Sequence, residues 1–283
     1  MSRNRPPIKS GSFYDSSQVR TSIWGALVSI YNFKYLIKLL VVRDVSVRYK
    51  RSVLGIIWVM LNPLLTTVVI WFVFSKIFGG SMPGDVQYAP YVLSGILFIT
   101  LFGQGLSLAA ESIANAASIL TKVYLPPQIF TVSATLACAV NFSIGLIALF
   151  VINEASGGTT AWTAPLTLLF VIFFTLFIAG LGLILSVAFI RFDDVRNIIG
   201  VIILFLTYLS PIFYPISILQ GATLFIVRLN PLTSFIEIFR FLFFGVPDFS
   251  PGQFLYVLFC SCFSFVAGVG IFTKFWPRTA AML

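Results

Sequence analysis

Long apolar runs separated by short polar breaks fill most of this chain. Six of them approach or exceed the roughly 20 residues a helix needs to cross a bilayer. They cover about 56–78, 88–110, 129–152, 165–190, 197–217 and 253–276. Backbone polar groups in hydrocarbon must be satisfied within their own segment, so each run predicts a transmembrane helix. A membrane barrel would instead show short strands of alternating polarity. The pattern therefore predicts an all-α integral membrane protein with six spans.

Two further stretches have their own pattern. Residues 31–55 predict an amphipathic interface helix. At about 100° per residue, Lys34, Lys38 and Arg48 share one face and Leu36, Leu39 and Leu40 another. Trp24, Tyr31, Tyr35 and Tyr49 add amphipathic rings that suit a helix lying in the inner interface plane. This helix runs into the first span through Gly55 and Trp58. Residues 1–30, with Pro6, Pro7 and Gly11, predict a flexible cytoplasmic lead, and residues 56–283 the transmembrane domain.

Between spans five and six, residues 217–245 are apolar but divided by proline and glycine. The pieces 217–229 and 232–244 are too short to span and predict two re-entrant helices. Asn230-Pro231 marks a break followed by a helix start. Broken backbone at depth is tolerated only against protein or a water-filled cavity. The segment reads as an external gate, with Asn230, Pro231, Glu237 and Arg240 as its candidate residues. Glu237 and Arg240 are spaced to pair on an outer face.

Composition removes the soluble classes. The chain is 59% hydrophobic and only 10% charged, against about a quarter charged in soluble domains. Its +9 charge is topological and does not point to nucleic acid. Ten of the 18 Lys and Arg precede the first span. Inner loops and the tail add Lys122, Arg191, Arg196, Lys274 and Arg278, which leaves Lys76, Arg228 and Arg240 outside. This positive-inside bias predicts cytoplasmic termini in a multi-pass cytoplasmic-membrane protein. The N-terminal stretch lacks the apolar core of a signal peptide. All three cysteines fall within proposed spans as packing residues, and there is no histidine.

No phosphate-binding loop, metal-ligand cluster or nucleophile–base pair is present in the sequence. Such a chain conducts passively or borrows energy from a partner. The cluster Arg43, Arg48, Lys50 and Arg51 has two readings. It sets topology by snorkelling to headgroups, or it captures an anionic headgroup such as a pyrophosphate. Asp44 and Arg48, four apart, are placed to pair. Asn62, Gln104 and Asn141 either bond between helices or line a weakly polar pathway. The 31 phenylalanines are either lipid-facing bulk or the lining of an aromatic conduit. The inner loop 111–128, with Glu111, Asn115 and Lys122, is long enough for a short helix parallel to the membrane. Asp193-Asp194, flanked by Arg191 and Arg196, reads as a capped turn.

The run Arg43-Asp44, then Arg48-Tyr49-Lys50, then Ser52-Val53-Leu54-Gly55-Ile56-Ile57-Trp58, then Pro63 resembles the N-terminal signature of ABC-2-type polysaccharide export permeases. That family includes the Wzm O-antigen, teichoic acid and capsule exporters. Asn230-Pro231-Leu232-Thr233 followed by Phe239-Arg240 is similar to its external re-entrant region. Within the family, the chain looks closest to the permeases of actinobacterial cell-wall galactan exporters.

The resemblance implies a homodimer of this chain with two copies of an ABC ATP-binding subunit. ATP and Mg would be held by that partner and no cofactor by this chain. The substrate would be a polyprenyl-diphosphate-linked polysaccharide, moved outward among membrane lipids. Arg43, Asp44, Arg48, Tyr49, Lys50 and Arg51 would form the interface helix at the lipid headgroups. Glu111, Asn115 and Lys122 would belong to the coupling helix, and Asn230, Pro231, Glu237 and Arg240 to the gate. Other classes remain open: an ABC-2 exporter of drugs or small lipids, a passive channel or scramblase, or a membrane-embedded glycosyltransferase. The last would want an acidic metal motif, and Asp193-Asp194 is the only adjacent acidic pair.

Overall fold

The computed structural model describes residues 23–282 apart from 51, 79–81, 85, 124 and 247–249. The expected lead up to residue 22, and Arg51, lie outside the described residues. Among the described residues all regular structure is helical. The helices are α1 (Ile23–Asn32), α2 (Lys34–Tyr49), α3 (Trp58–Phe78), α4 (Tyr88–Asn115), α5 (Ala117–Leu120), α6 (Gln128–Ala155), α7 (Leu166–Arg191), α8 (Val195–Leu209), α9 (Gly221–Leu229), α10 (Pro231–Phe244) and α11 (Pro251–Thr279). The helices α4, α6, α7 and α11 and the segment Gly55–Phe78 are long and apolar enough to cross a membrane. Counting each bent pair, α1 with α2 and α9 with α10, as one span raises the number to seven.

The centre of the fold is α4, which packs against α3, α6, α7, α8 and α10. Its interior is aromatic. Phe98 of α4 lies 5.1 Å from Phe142 of α6, 4.9 Å from Phe174 of α7 and 4.8 Å from Phe239 of α10, centroid to centroid. Phe235 of α10 stands 4.6 Å from Phe174. These rings are therefore a packed core rather than lipid-facing bulk, and of them Phe142 also borders a cavity. Edge and tilted ring contacts of this kind add to the area they bury.

Where α7 crosses α11 the backbones touch. A Cβ on Gly180 would collide with the main chain of Ser264 and Phe265, and one on Gly268 with the main chain of Gly180. Ser264 Oγ donates to Phe177 O at 2.9 Å across the same seam. Small residues allow this close approach, which replaces the hydrophobic drive that lipid removes.

Three expectations on boundaries need correction. The interface helix is not continuous over 31–55. It breaks at Phe33, whose φ of −93° and ψ of 18° are not helical, and α1 meets α2 at 67°. Phe33 and Leu36 pack with buried Ile37 and Leu40 onto Ile129 and Phe130 of α6, so tertiary packing sets this elbow. Nor does α2 run into the first span. It stops at Tyr49, and the chain turns through Gly55, at φ +53°, before α3. Span five ends at Leu209, eight residues short of 217. Ser210 is extended, with ψ of 149°, because a residue preceding proline is driven out of the α region and Pro211 follows. At about 1.5 Å per residue, the 15 residues of α8 reach roughly 22 Å, short of a hydrocarbon core about 30 Å thick.

Replacing Gly180 or Gly268 by Val should lower stability in detergent by about 1–3 kcal/mol through overpacking. The comparison is Gly200→Val, where a Cβ meets nothing within 4 Å. Thermal unfolding of the three variants checks this: equal melting temperatures would contradict the close seam.

Candidate functional site

Where α2 meets the bundle, α2, α3, α4 and α6 enclose a crevice of about 410 Å³. Arg48 and Tyr49 come from α2, Trp58, Asn62 and Thr66 from α3, Thr100 and Gln104 from α4, and Cys138, Asn141 and Phe142 from α6. Arg48 Nη1 donates to Gln104 Oε1 at 3.2 Å. Asn141 is buried, and its Oδ1 accepts no hydrogen bond from the protein. Arg48 also borders two adjoining cavities, about 540 Å³ beside Ser112 and Asn115, and about 620 Å³ towards Ile203 and Thr207 of α8. One guanidinium thus stands where three cavities meet.

The polar residues here come from a periodic stripe. Thr100, Gln104, Ser107, Glu111 and Asn115 recur at spacings of three and four along α4 and therefore share one face. Around them, hydroxyls that face the protein interior are spent on their own helices. Thr67 Oγ1 donates to Pro63 O at 2.8 Å, one turn back on α3. Gln104 and Asn141 cannot be satisfied by back-bonding of this kind, and they face the crevice.

The expected Asp44–Arg48 pair is not formed. Asp44 Oδ1 takes both Nε and Nη2 of its neighbour Arg43, at 2.9 and 2.7 Å, which leaves Arg48 to reach α4. Lys50 is exposed. Glu111 accepts from Arg196 Nε at 2.9 Å. Arg196 therefore ties the turn before α8 to α4 and does not cap Asp193-Asp194 as expected. The second span, expected to end at 110, runs on to Asn115, so Glu111 and Asn115 lie on α4 and not in the expected loop helix; the short α5 follows, and Lys122 is exposed just beyond it.

Around the bent pair α9–α10 the arrangement is different. The helices α9 and α10 meet at 85° around Asn230-Pro231. Asn230 Oδ1 accepts from Leu232 N at 3.0 Å as the cap of α10, Pro231 fills the first turn, and Asn230 Nδ2 donates to Ser210 Oγ at 2.9 Å. Arg240 does not lie on a solvated outer face. It is 4% exposed, and its guanidinium bonds Pro211 O at 2.7 Å, Tyr91 O at 3.0 Å, Ser94 Oγ at 3.1 Å and Ile212 O at 3.5 Å. Its carbon stands 3.4 Å from the Tyr91 ring centroid. Glu237 Oε2 instead accepts from Gln253 Nε2 of α11 at 2.7 Å.

Two tyrosines complete this set. Tyr88 Oη donates to Phe213 O at 2.9 Å, and Tyr91 Oη to Tyr214 O at 3.2 Å. Consecutive carbonyls from Pro211 to Tyr214, freed when α8 ends, are thus each taken by a side chain. Sequence reasoning missed Tyr88, Tyr91 and Ser94. The available signal was their spacing of three on α4, which reads equally as an interfacial belt.

Comparison with known proteins decides the family. The model of the ABC-2 type transporter family matches residues 35–244. This chain belongs to the ABC-2 type transporter family. The matched region includes the Arg48 crevice and the Arg240 network. The chain is 28% identical over 261 residues to the O-antigen export system permease protein RfbA of Klebsiella pneumoniae, covering 89% of this chain and 98% of the relative. It is 26% identical over 226 residues to RfbA of Myxococcus xanthus, covering 78% and 86%. It is also 24% identical over 265 residues to the capsule polysaccharide export inner-membrane protein CtrC of Neisseria meningitidis, covering 90% and 96%.

As an ABC-2 transporter with several apolar helices of spanning length, the chain is a multi-pass membrane protein. Arg240 is then a fastener between α10, α4 and the segment after α8 of this ABC-2 domain. Replacement by Met leaves buried carbonyls unpaired, and hydrogen bonds to a charged group contribute about 1.5–3 kcal/mol each. Arg240→Met should therefore melt well below Tyr88→Phe, which loses one neutral bond of about 1 kcal/mol. Thermal unfolding in detergent checks the order. Arg240→Met melting with the wild type would overturn the fastening role.

Proposed function

We propose that this chain is the permease subunit of an ATP-driven exporter that moves a polyprenyl-diphosphate-linked polysaccharide outward across the cytoplasmic membrane. The observation that carries this reading is the crevice at Arg48. It offers a guanidinium at the inner mouth, a neutral polar ladder of Gln104, Thr100, Asn62, Thr66 and Asn141, and the rings of Trp58 and Phe142. A guanidinium suits phosphate oxygens. Amides and hydroxyls beside ring faces suit a sugar polymer with alternating polar edges and apolar faces. Support comes from relatives named for O-antigen and capsule polysaccharide export. A galactan is the finer reading, resting on the resemblance of the Arg43–Trp58 run.

In this reading two copies of the chain pack together with two ATP-binding subunits, which hold ATP and Mg. The charge asymmetry along the sequence sets both termini inside. With α8 and the non-helical residues 210–214 after it taken together as one crossing, six spans result and α9–α10 lies at the outer face. ATP-driven closure of the partner pushes on the inner segment from Asn115 to Lys122. The Glu111–Arg196 pair passes that push from α4 to α8. The carrier diphosphate meets Arg48, displacing Gln104. At the outer end α10 is buried and fastened, while Phe225, Ile226 and Leu229 of α9 are exposed. The moving part of the gate is therefore α9, hinged at Asn230.

The test is purification of the tagged chain from its own host in mild detergent, with identification of bound proteins and assay of ATP hydrolysis. A stoichiometric ATP-binding subunit with vanadate-sensitive turnover is expected. A preparation free of ATPase that still moves lipid or ions in liposomes would make the chain a passive channel or scramblase. Arg48→Glu should cut glycan export at least tenfold while the ATPase still copurifies, since one tenfold step is about 1.4 kcal/mol. Unchanged export in that variant would remove Arg48 from the pathway.

A further inference from the structure

A second large cavity shares no lining residue with the Arg48 crevice. It is a groove of about 840 Å³ between α2 and the spans α6 and α7, closed at its back by Phe265 of α11. We propose that it binds an anionic phospholipid, with an acyl chain in the groove and the headgroup phosphate at Lys34 and Lys38.

The walls select a hydrocarbon chain. They are built from Val132, Leu136 and Val140 of α6 and Leu168, Ile172 and Leu176 of α7. Three hydroxyls also line the groove, but each is turned onto its own helix. Thr135 donates to Val132 O at 2.9 Å, Ser143 to Ala139 O at 2.9 Å and Thr175 to Val171 O at 2.8 Å. The surface they present is therefore effectively apolar. Along α6 the lining runs from Val132 to Ser143. Eleven steps of about 1.5 Å give roughly 16 Å, the depth of one leaflet of a core about 30 Å thick. The volume falls within the range of about 300–1,000 Å³ typical of small-molecule sites.

The rim selects the headgroup. Lys34 and Lys38, one turn apart on α2, are both exposed, and no carboxylate lines the groove. Lys34 Nζ stands 4.7 Å from the Tyr31 ring centroid and 5.5 Å from that of Tyr35. This cation–π contact holds the ammonium at the mouth. Basic side chains beside a pocket between membrane helices recognise acidic headgroups. A bound lipid would also fasten the elbow between α1 and α2 to α6, since Ile30 and Tyr31 of α1 line the same groove.

The test uses the full chain in mild detergent, equilibrated with equal amounts of phosphatidylglycerol and phosphatidylcholine and read by native mass spectrometry. Each lysine near an anionic lipid contributes about fivefold, so the pair should favour phosphatidylglycerol by roughly thirtyfold. Lys34→Ala with Lys38→Ala should bring the ratio near parity, whereas Lys274→Ala, outside the groove, should leave it unchanged. Val140→Trp, at a position 40% exposed, should fill the groove and lower retention of both lipids without shifting the melting temperature. Parity in the wild type, or an undiminished preference in the double lysine variant, would overturn the proposal. Displacement of phosphatidylglycerol by an equal amount of polyprenyl phosphate would assign the groove to the cargo carrier and also overturn it.

Discussion

A backbone that leaves its helix inside a membrane must find new partners for every group it frees. That constraint organises the part of this protein around α9 and α10. Pro211 ends α8 short of a full crossing, and the carbonyls from Pro211 to Tyr214 lose their helical donors. Arg240, Tyr88 and Tyr91 supply replacements. An arginine is the one side chain with enough donors in a planar fork to serve several carbonyls at once. Its charge faces carbonyl dipoles and the Tyr91 ring, which take the place of water around the buried cation. The bent pair α9–α10 can sit against the bundle because this network holds it there.

The same polar economy explains where function can lie. Several buried serines and threonines donate back to their own helices, as Ser94, Ser133, Thr175 and Ser186 do. Polar groups without that outlet then stand out. Gln104, Asn141 and Asn62 share a crevice with Arg48, and Asn141 Oδ1 is left with no protein donor. Leaving a buried acceptor unpaired costs about 1–3 kcal/mol, which a passing hydroxyl would recover. The two ends are thus built differently. Around α10, the carbonyls from Pro211 to Tyr214 are each bound by a side chain. Around Arg48, an unpaired amide oxygen of Asn141 faces a crevice.

Much of this was legible in the residue pattern. Five long apolar runs became helices of spanning length because length and hydropathy decide that outcome almost alone. The Asn230-Pro231 break and the short helices around it were legible because capping and proline geometry are local. Pro211 carried the signal for the end of α8, but apolar residues beyond it hid the break. The elbow at Phe33 was not legible, because contacts with Ile129 and Phe130 on a distant helix set it. Site pairings failed for a similar reason. Spacing rules placed Arg48 with Asp44, Arg196 with the aspartate turn and Arg240 with Glu237. The structure sends the three arginines instead to Gln104, Glu111 and the carbonyls after α8, across separations in sequence of 56, 85 and up to 29 residues. Helical spacing reports which side chains can meet on one helix and is blind to competing partners on another.

In the proposed function a lipid-linked glycan passes along the Arg48–Gln104 crevice. The most direct measurement is site-specific photocrosslinking in membranes that make the cargo. One probe replaces Gln104, and a control probe replaces Leu169, which is exposed on α7. The account predicts a glycan-bearing adduct at position 104 that changes with ATP turnover, and phospholipid alone at position 169. Phospholipid alone at both positions, with or without ATP, would contradict it.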